Sequence, residues 1–576
     1  MTARMLLAVA VVAAALFLPG VGAAPFVDPP EGVHAAIALD MLRSGDWITP
    51  RLDGIRYFDK PPLLYWLMAG AFRALGVSPW ASRLTSALPA VGVAVVTAWT
   101  GLRLGGPRLG LLAGLVVAAN LELFLFARLV KPDLLFTLCI AGAFAAFVEA
   151  YGTARRGAVA AFALSLGAAG LAKDFLGAAG PLAAVAVVFA LTRERQVMER
   201  WTPWRVLALI AAVAVPWYAA MEVVNRGFLY YTIVDNHILN VAQQRAFPDE
   251  DVPLSELEFL AVTAIGFLPW TLALPGAVWR AVRGPWDTAE GRVWLLFALW
   301  TTGAIGLFAL SPFKLPHYGL VAFPAMALLA ARSWADAIEG EPGAPRFRWL
   351  ALSALVVLVL LSAVAGLAWL GRLPLPGGAL AAADVATRNL AARGQDAPFA
   401  AGAEIRPILG HAALIFALGA AGLAVAAALG RRAIALGALM AAMLAVLPLT
   451  VQGFALFAES RSVRPLADIV ALRATPADVL AHEGPLERSA SWLLALDRRV
   501  AIVDGRQSNL AIGATYPEAA DLFWDAARLE RAWRGPERVF LLSAVRPERS
   551  AVRGLPPASV HELAARGGRW LYSNRP

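Results

Sequence analysis

The chain is dominated by a succession of apolar stretches, each close to the length that crosses a lipid bilayer, and a water-soluble core cannot absorb them. About 20 mostly apolar residues span the hydrocarbon layer as a helix. Thirteen stretches meet or approach that length: 5–24, 82–101, 108–127, 131–150, 156–172, 175–191, 204–222, 257–279, 293–310, 318–334, 350–370, 409–428 and 433–452. The pair around 156–191 is interrupted by Lys173-Asp174, which leaves two helices or one bent helix as alternatives. Hydrophobic residues make up 59% and charged residues 16% of the 576, against about 45–50% and about 25% in a soluble domain. Cys139 is the single cysteine, so no intrachain disulfide forms. The net charge of +9 comes from short basic clusters between apolar runs, a membrane pattern and not a nucleic-acid-binding one.

Arginines orient the spans. With the N-terminus inside, alternate loops hold Arg103 and Arg108, then Arg155 and Arg156, then Arg193, Arg195, Arg200 and Arg205. Arg280, Arg283 and Arg292 follow, then Arg332, Arg346 and Arg348, and finally Arg431 and Arg432. This fits the positive-inside rule. Residues 1–24 read as a retained first helix, although Val21-Gly22-Ala23-Ala24 also suits a cleavage site. An odd number of spans puts the tail outside, which in a bacterial cell is the periplasm. The expected division is a transmembrane domain over 1–452, with a first periplasmic loop at 25–81, and a periplasmic α/β domain over 453–576.

The first loop carries two helix candidates, Gly32–Arg43 and Leu63–Leu75, the second starting after Pro61-Pro62. Their apolar faces are expected to rest on the membrane surface. In the tail, strand candidates at Arg499–Val503 and Val539–Leu542 alternate with helix candidates at Pro517–Trp533 and Pro557–Ala565. The outside loop 371–408 is expected to hold another short helix.

All four lysines of the chain, Lys60, Lys131, Lys173 and Lys314, fall in outside loops or at outer helix ends, against the positive-inside trend. Compact ammonium charges on that side suit a lipid phosphate or pyrophosphate. In the first loop Arg56, Tyr57, Phe58, Asp59 and Lys60 precede a Pro-Pro step that restricts the backbone. Asp28 and Glu31 lie where the first helix leaves the membrane, and Asp133 opens a membrane helix, where a carboxylate also serves as a cap. Lys314, His317 and Tyr318 share one loop, and His237 and Arg245 belong to another polar outside segment. His34, His237 and His317 show no compact metal-ligand spacing.

These segments resemble a known family. Gly45-Asp46-Trp47 and Arg56-Tyr57-Phe58-Asp59-Lys60-Pro61-Pro62-Leu63-Leu64-Tyr65-Trp66 are similar to the first periplasmic loop of the aminoarabinose transferases. That family belongs with the protein mannosyltransferase-like membrane glycosyltransferases. Ala127-Arg128 with Asp133, Lys314-Leu315-Pro316-His317-Tyr318 and the segment around His237 are also similar to its motifs. One motif departs: where the family has adjacent Asp-Glu and then Arg-Tyr, this chain has Pro30-Glu31 and Val33-His34.

The resemblance implies a polytopic α-helical membrane protein of the GT-C type with juxtamembrane helices. It implies a glycosyltransferase that takes a sugar from a polyprenyl phosphate, undecaprenyl phosphate in a bacterium, and passes it to lipid A or another envelope acceptor. Lys60 and Lys314 would stabilise the leaving phosphate, with Arg56, Tyr57, Arg128, Lys131, His317 and Tyr318 around it. Glu31 or Asp28 would orient or deprotonate the acceptor, Asp133 would position a substrate, and Asp59, His34, His237 and Arg245 would assist. The acids leave room for a divalent cation. A monomer is expected, and a secondary transporter or lipid flippase is the rival reading.

Overall fold

The computed structural model describes residues 2–151, 155–193, 199, 201–247, 251–373, 384–392 and 402–576. The inside arginines Arg195 and Arg200 lie outside the described residues. In chain order the first helices are α1 (Thr2–Phe17), α2 (Glu31–Ser44), α3 (Leu63–Leu75), α4 (Pro79–Ala118), α5 (Leu121–Phe126), α6 (Asp133–Ala150), α7 (Arg156–Ala172) and α8 (Ala179–Thr192). There follow α9 (Pro203–Val224), α10 (Glu256–Gly266), α11 (Leu274–Arg283), α12 (Ala289–Leu310), α13 (Phe323–Glu339) and α14 (Phe347–Trp369). A short α15 (Val385–Ala392) lies in the loop where one is expected, before α16 (Gly402–Ala428) and α17 (Arg432–Arg461).

Among the described residues nine helices are long and apolar enough to cross a membrane, and a bent pair adds a tenth. That pair corrects one expectation. The run 257–279 reads as a single span, yet Glu256–Gly266 and Trp270–Arg283 meet at 101°. Pro269 interrupts the backbone hydrogen-bond ladder there. The long α4 is two arms, because Gly105 and Gly106 leave helical geometry and Gly106 takes φ 78°. Lys173-Asp174 separates two helices and does not bend one.

The helices carry different chemistry at their two ends. Asp133 begins α6, whereas Glu149 near its other end pairs with Arg103 and Arg155. His317 stands ahead of α13, whereas Asp336 and Glu339 near its far end pair with Arg280 and Arg108. The 16 residue steps from Asp133 to Glu149 rise about 24 Å, close to the hydrocarbon thickness. The ion pairs of Arg103, Arg155, Arg280 and Arg108 therefore mark one face and the lysine loops the other.

The tail folds as an α/β unit after α17, which runs unbroken through 452–453 to Arg461. Its sheet has the order β5-β4-β3-β6-β8-β7. The strands are β3 (Val479–Glu483), β4 (Ala501–Val503), β5 (Phe523–Trp524), β6 (Val539–Ser543), β7 (His561–Arg566) and β8 (Arg569–Ser573). β3 is parallel to β4 and β6, β4 is parallel to β5, and β7–β8 is an antiparallel hairpin beside β6. Both faces are covered. Phe540 and Leu542 enter one core and Val539 and Leu541 the other, which is why β6 reads as a continuous apolar run. Two expectations change here. Pro557–Ala565 is mostly strand, since β7 needs an antiparallel partner only the fold supplies. Within Pro517–Trp533 only Ala526–Trp533 is α-helix.

The first loop and the tail share one core. Val33, Ile37 and Met41 of α2, with Leu52, Ile55 and Tyr57, pack against Leu486, Trp492, Ile502 and Phe540. The loop's hairpin, β1 (Arg51–Leu52) and β2 (Ile55–Arg56), turns at Asp53-Gly54, both at positive φ, as a two-residue hairpin turn requires. Asp53 then accepts the Val500 N–H at 3.1 Å. So α2 does not lie with an apolar face on the membrane: the tail covers one side and α3 the other, and every residue from Glu31 to Leu39 is buried.

Candidate active site

Where the lysine-rich helix ends meet the covered first loop, a cavity of about 160 Å³ opens. Its membrane-side wall is Tyr57, Asp59, Lys60, Lys131, Asp133, Lys173, His317 and Tyr318. Asp133 Oδ1 sits 2.5 Å from Lys173 Nζ, and its Oδ2 sits 3.6 Å from His317 Nε2. Lys131 Nζ is 3.4 Å from His317 Nδ1. Lys173 Nζ also stands 4.3 Å above the Tyr318 ring, a cation–π contact. Lys60 pairs with Asp59 at 2.8 Å.

Three lysines thus line one cavity, Lys60 beside Asp59, Lys173 on Asp133 and Lys131 beside His317. Burial pulls the Lys131 ammonium below its usual pKa, with Asp133 and Asp251 opposing. Burial pushes the Asp59 carboxyl up, but Lys60 beside it holds it below the usual range. His34 also lines the cavity and accepts or donates to the Tyr65 hydroxyl at 3.2 Å. Its pKa falls to about 3 through burial and the charges of Lys60 and Lys131. It is therefore neutral at physiological pH.

The two acids left open in the first loop separate. Asp28 lines the cavity. Its carboxylate accepts the Ser491 N–H at 3.0 Å and the Ser491 hydroxyl. Burial raises its pKa to about 6, against the lowering effects of Arg569 and Ser491. Glu31 does not reach the cavity lining. Its oxygens take Arg83 Nε at 2.8 Å and Nη2 at 2.7 Å, and the N–H groups of Val27 and Val130. With both partners fully buried, Glu31 is a clasp between the first loop, α4 and the loop before α6.

Several other expected residues stand outside this wall. Lys314 Nζ donates to the Ser311 carbonyl at 2.8 Å, closing the end of α12. Arg128 donates to the carbonyls of Leu16 and Pro19 and lies 3.7 Å over the Phe124 ring. Arg56 reaches Glu518 at 2.5 Å and stacks 4.0 Å over Tyr516, so it ties the first loop to the tail. His237 bonds Asp174 at 2.7 Å, which raises its pKa against burial. Arg245 pairs with Asp235 at 3.3 Å. Among the described residues no three His, Cys, Asp or Glu side chains group as a metal site would require.

Sequence reasoning missed the opposite wall. Glu487, Arg488, Asn509, Ala544, Gly567, Gly568 and Arg569 come from the tail, and Asp251, Asn389 and Arg461 from between them in the fold. Lys173 was visible as one of the four outside lysines and as an interruption of an apolar run, but not as the partner of Asp133. The tail residues carry no motif, and only the packing of α2 under the sheet brings them here.

Residues 3–232 match the sequence model of the dolichyl-phosphate-mannose-protein mannosyltransferase family. The undecaprenyl phosphate-alpha-4-amino-4-deoxy-L-arabinose arabinosyl transferase of Edwardsiella ictaluri is 29% identical over 320 residues, 55% of this chain and 56% of that protein. A second protein of that name from Sodalis glossinidius is 32% identical over 312 residues, 53% of this chain and 55% of the other. The matched region thus spans about half the length of these relatives. The fold match is longer. The crystal structure of ArnT from Cupriavidus metallidurans bound to undecaprenyl phosphate superposes with a TM-score of 0.81 at 21% identity, covering 99% of this chain and 97% of that one. The apo structure of the same protein gives 0.80 at 22%, covering 100% and 98%. Residues 3–232 are thus similar in sequence to the protein mannosyltransferases, and the chain shares the fold of ArnT along its whole length.

Proposed function

We propose that the protein transfers a sugar from a polyprenyl-phosphate donor to an acceptor of the bacterial cell envelope, such as lipid A, on the periplasmic side of the inner membrane. The observation that carries this is the meeting of Lys60, Lys131 and Lys173 in one cavity at the outer helix ends. A lipid phosphate reaches that level with its tail still in the bilayer. The apolar α3, with exposed Leu67 and Leu75, offers a surface along which such a tail could run. The names of the sequence relatives support an undecaprenyl-phosphate sugar as donor class.

In this reading the ammonium groups stabilise charge that grows on the phosphate oxygen as the sugar leaves, the kind of fixed electrostatics that carries most rate enhancement. Asp133, held by Lys173, keeps that lysine in place. Asp28 faces the acceptor. The chain crosses the membrane thirteen times when α4 counts as two arms, the bent pair as one, and the shorter α1 and α7 are included. We place the boundary of the periplasmic domain after α17 and take the enzyme to act as a monomer.

The test uses the purified full chain in lipid nanodiscs with undecaprenyl-phosphate-linked aminoarabinose, mannose and glucose, and an envelope lipid extract as acceptor. Release of undecaprenyl phosphate with transfer of one sugar is expected, and Lys60→Ala should abolish it. If no donor is turned over, and cells carrying Lys60→Ala keep wild-type envelope glycosylation, the reading is wrong.

A further inference from the structure

We infer that the tail domain carries a saccharide-binding site of its own, a cleft beside the catalytic cavity that holds the sugar rings of the acceptor beyond the reacting one. That the saccharide belongs to the acceptor rests on the proposed transfer; the cleft itself does not. The cleft encloses about 520 Å³ and shares no lining residue with the cavity.

The sheet explains where it sits. β5, β4, β3 and β6 are parallel neighbours in that order. Their carboxyl ends therefore share one edge, the edge at which open parallel sheets bind ligands. Glu487 after β3 and Ala544 after β6 line the catalytic cavity. Asp525 after β5 lines the cleft. The loop after β4 serves both, with Gln507 on the cleft and Asn509 on the cavity. Neighbouring strands stand about 4.8 Å apart, so the β4–β5 ends and the β3–β6 ends are separated by about 10 Å. A short oligosaccharide bridges that length.

The backbone around the cleft is fixed before any ligand arrives. The Asp504 N–H donates to the Trp524 carbonyl at 3.3 Å, and the Gly484 N–H to the Val503 carbonyl at 2.8 Å. A Cβ at Gly505 would overlap the Gly484 carbonyl oxygen, so glycine lets the loop pass this close to the end of β3. The Trp524 indole N–H donates to the Asp521 carbonyl at 3.1 Å, which sets the ring. Asp525 accepts the Arg528 N–H at 2.7 Å and starts the helix Ala526–Trp533.

The lining chemistry selects the ligand class. Arg506 and Arg531 are exposed, and among the described residues their guanidinium groups form no ion pair or hydrogen bond. Gln507 both donates and accepts, and Asp504 and Asp525 accept. Guanidinium, amide and carboxylate are planar groups that present two polar atoms side by side. Adjacent hydroxyls of a sugar ring, each a donor and an acceptor, meet such pairs well. The half-buried Trp524 adds apolar surface for the C–H side of a ring, and Arg528 lies 5.1 Å over its indole. A lone phosphate would face the carboxylates of Asp504 and Asp525 as well as the arginines. The mixed lining therefore favours a hydroxyl-rich ligand over a simple anion.

The experiment titrates the full chain in lipid nanodiscs with an oligosaccharide released by mild acid from bacterial lipopolysaccharide and stripped of its phosphates. Isothermal calorimetry gives the affinity, and hydrogen exchange gives the place. Binding is expected, with slower exchange across residues 504–507 and 523–531. Arg506→Ala and Arg531→Ala change exposed side chains and should each raise Kd about tenfold, as for the loss of one hydrogen bond from a charged group. Arg473→Ala, an exposed tail arginine outside the cleft, should leave Kd unchanged. No binding at millimolar saccharide overturns the inference, and so does binding that both cleft variants keep at full strength. Inorganic phosphate that slows exchange in these segments where the saccharide does not would make the cleft an anion site and also overturn it. Saccharide binding by a chain that turns over no donor would overturn the transferase reading and the link to an acceptor, and leave the cleft standing.

Discussion

Lys173 Nζ lies 2.5 Å from Asp133 Oδ1, an ion pair that joins the first turn of α6 to the break between α7 and α8. The side chains are 17% and 5% exposed, so neither charge is left to water. Removing the ammonium should lower donor turnover by about 10²–10³-fold, as for the loss of one electrostatic stabiliser. Lys173→Ala combined with Asp133→Asn should cost little more than the first change alone, since groups that act as a unit are not additive. Steady-state kinetics on the four proteins of this cycle decide it. Full additivity would show that the two residues act separately.

The Glu31–Arg83 clasp is predicted to matter for stability and not for chemistry. Both side chains are fully buried, and Arg83 also holds the carbonyls of Val21, Ala24 and Pro25. Glu31→Leu leaves an uncompensated guanidinium and should cost about 3–5 kcal/mol. Adding Arg83→Met should recover much of it. Thermal unfolding in detergent measures both, and an unchanged midpoint in Glu31→Leu would refute the assignment.

His482 makes the tail domain sensitive to acid. Burial lowers its pKa to about 3, and its Nδ1–H donates to the Gly484 carbonyl at 3.1 Å. The unfolded chain, with an ordinary histidine near 6.5, binds more protons than the folded one between those values. Its contribution is therefore fully present above about 6.5 and is lost as pH falls toward about 3, by up to about 1.4 kcal/mol per pH unit. At pH 5 that reaches about 2 kcal/mol. His482→Asn should flatten this slope in denaturant titrations followed by tryptophan fluorescence at pH 7 and pH 5. Parallel slopes would assign the acid sensitivity elsewhere.

Gly513 meets the first loop at a point with no room for a side chain, since an added Cβ would overlap the Arg56 carbonyl oxygen. Gly513→Ala should push the β1–β2 hairpin off the tail domain at a cost of about 1–3 kcal/mol, as overpacking does. Faster backbone hydrogen exchange across residues 51–56 is the expected readout. Unaltered exchange there would mean that the contact yields without consequence.

Span positions were legible because hydrocarbon asks only for apolar length, and Arg103, Arg108 and Arg432 gave the orientation without any tertiary information. The 101° break after Gly266 was not, because a bent helix keeps the hydropathy of a straight one. α2 was recognised as a helix but misassigned to the membrane surface, since its second covering layer begins at residue 464. Lys60, Asp133 and His317 could be picked from their motifs and meet in the cavity. Lys314 and Arg128, equally conspicuous in sequence, turn to backbone carbonyls. Arg569 stands 541 residues from Asp28, and no local pattern announces such a contact.

That separation has a consequence for biogenesis. A chain emerging from the ribosome places α2, Asp28 and the Asp53-Gly54 turn outside the membrane hundreds of residues before Ser491, Val500 and Arg569 exist. Until the last strand is made, the apolar side of α2 lacks its cover and the carboxylate of Asp28 lacks its donors. Transiently exposed apolar surface of this kind invites misassembly. The cavity is thus closed only once β8 is made, and a nascent chain cut short before β8 carries its lysines into the envelope without the Arg569 side of the wall around them.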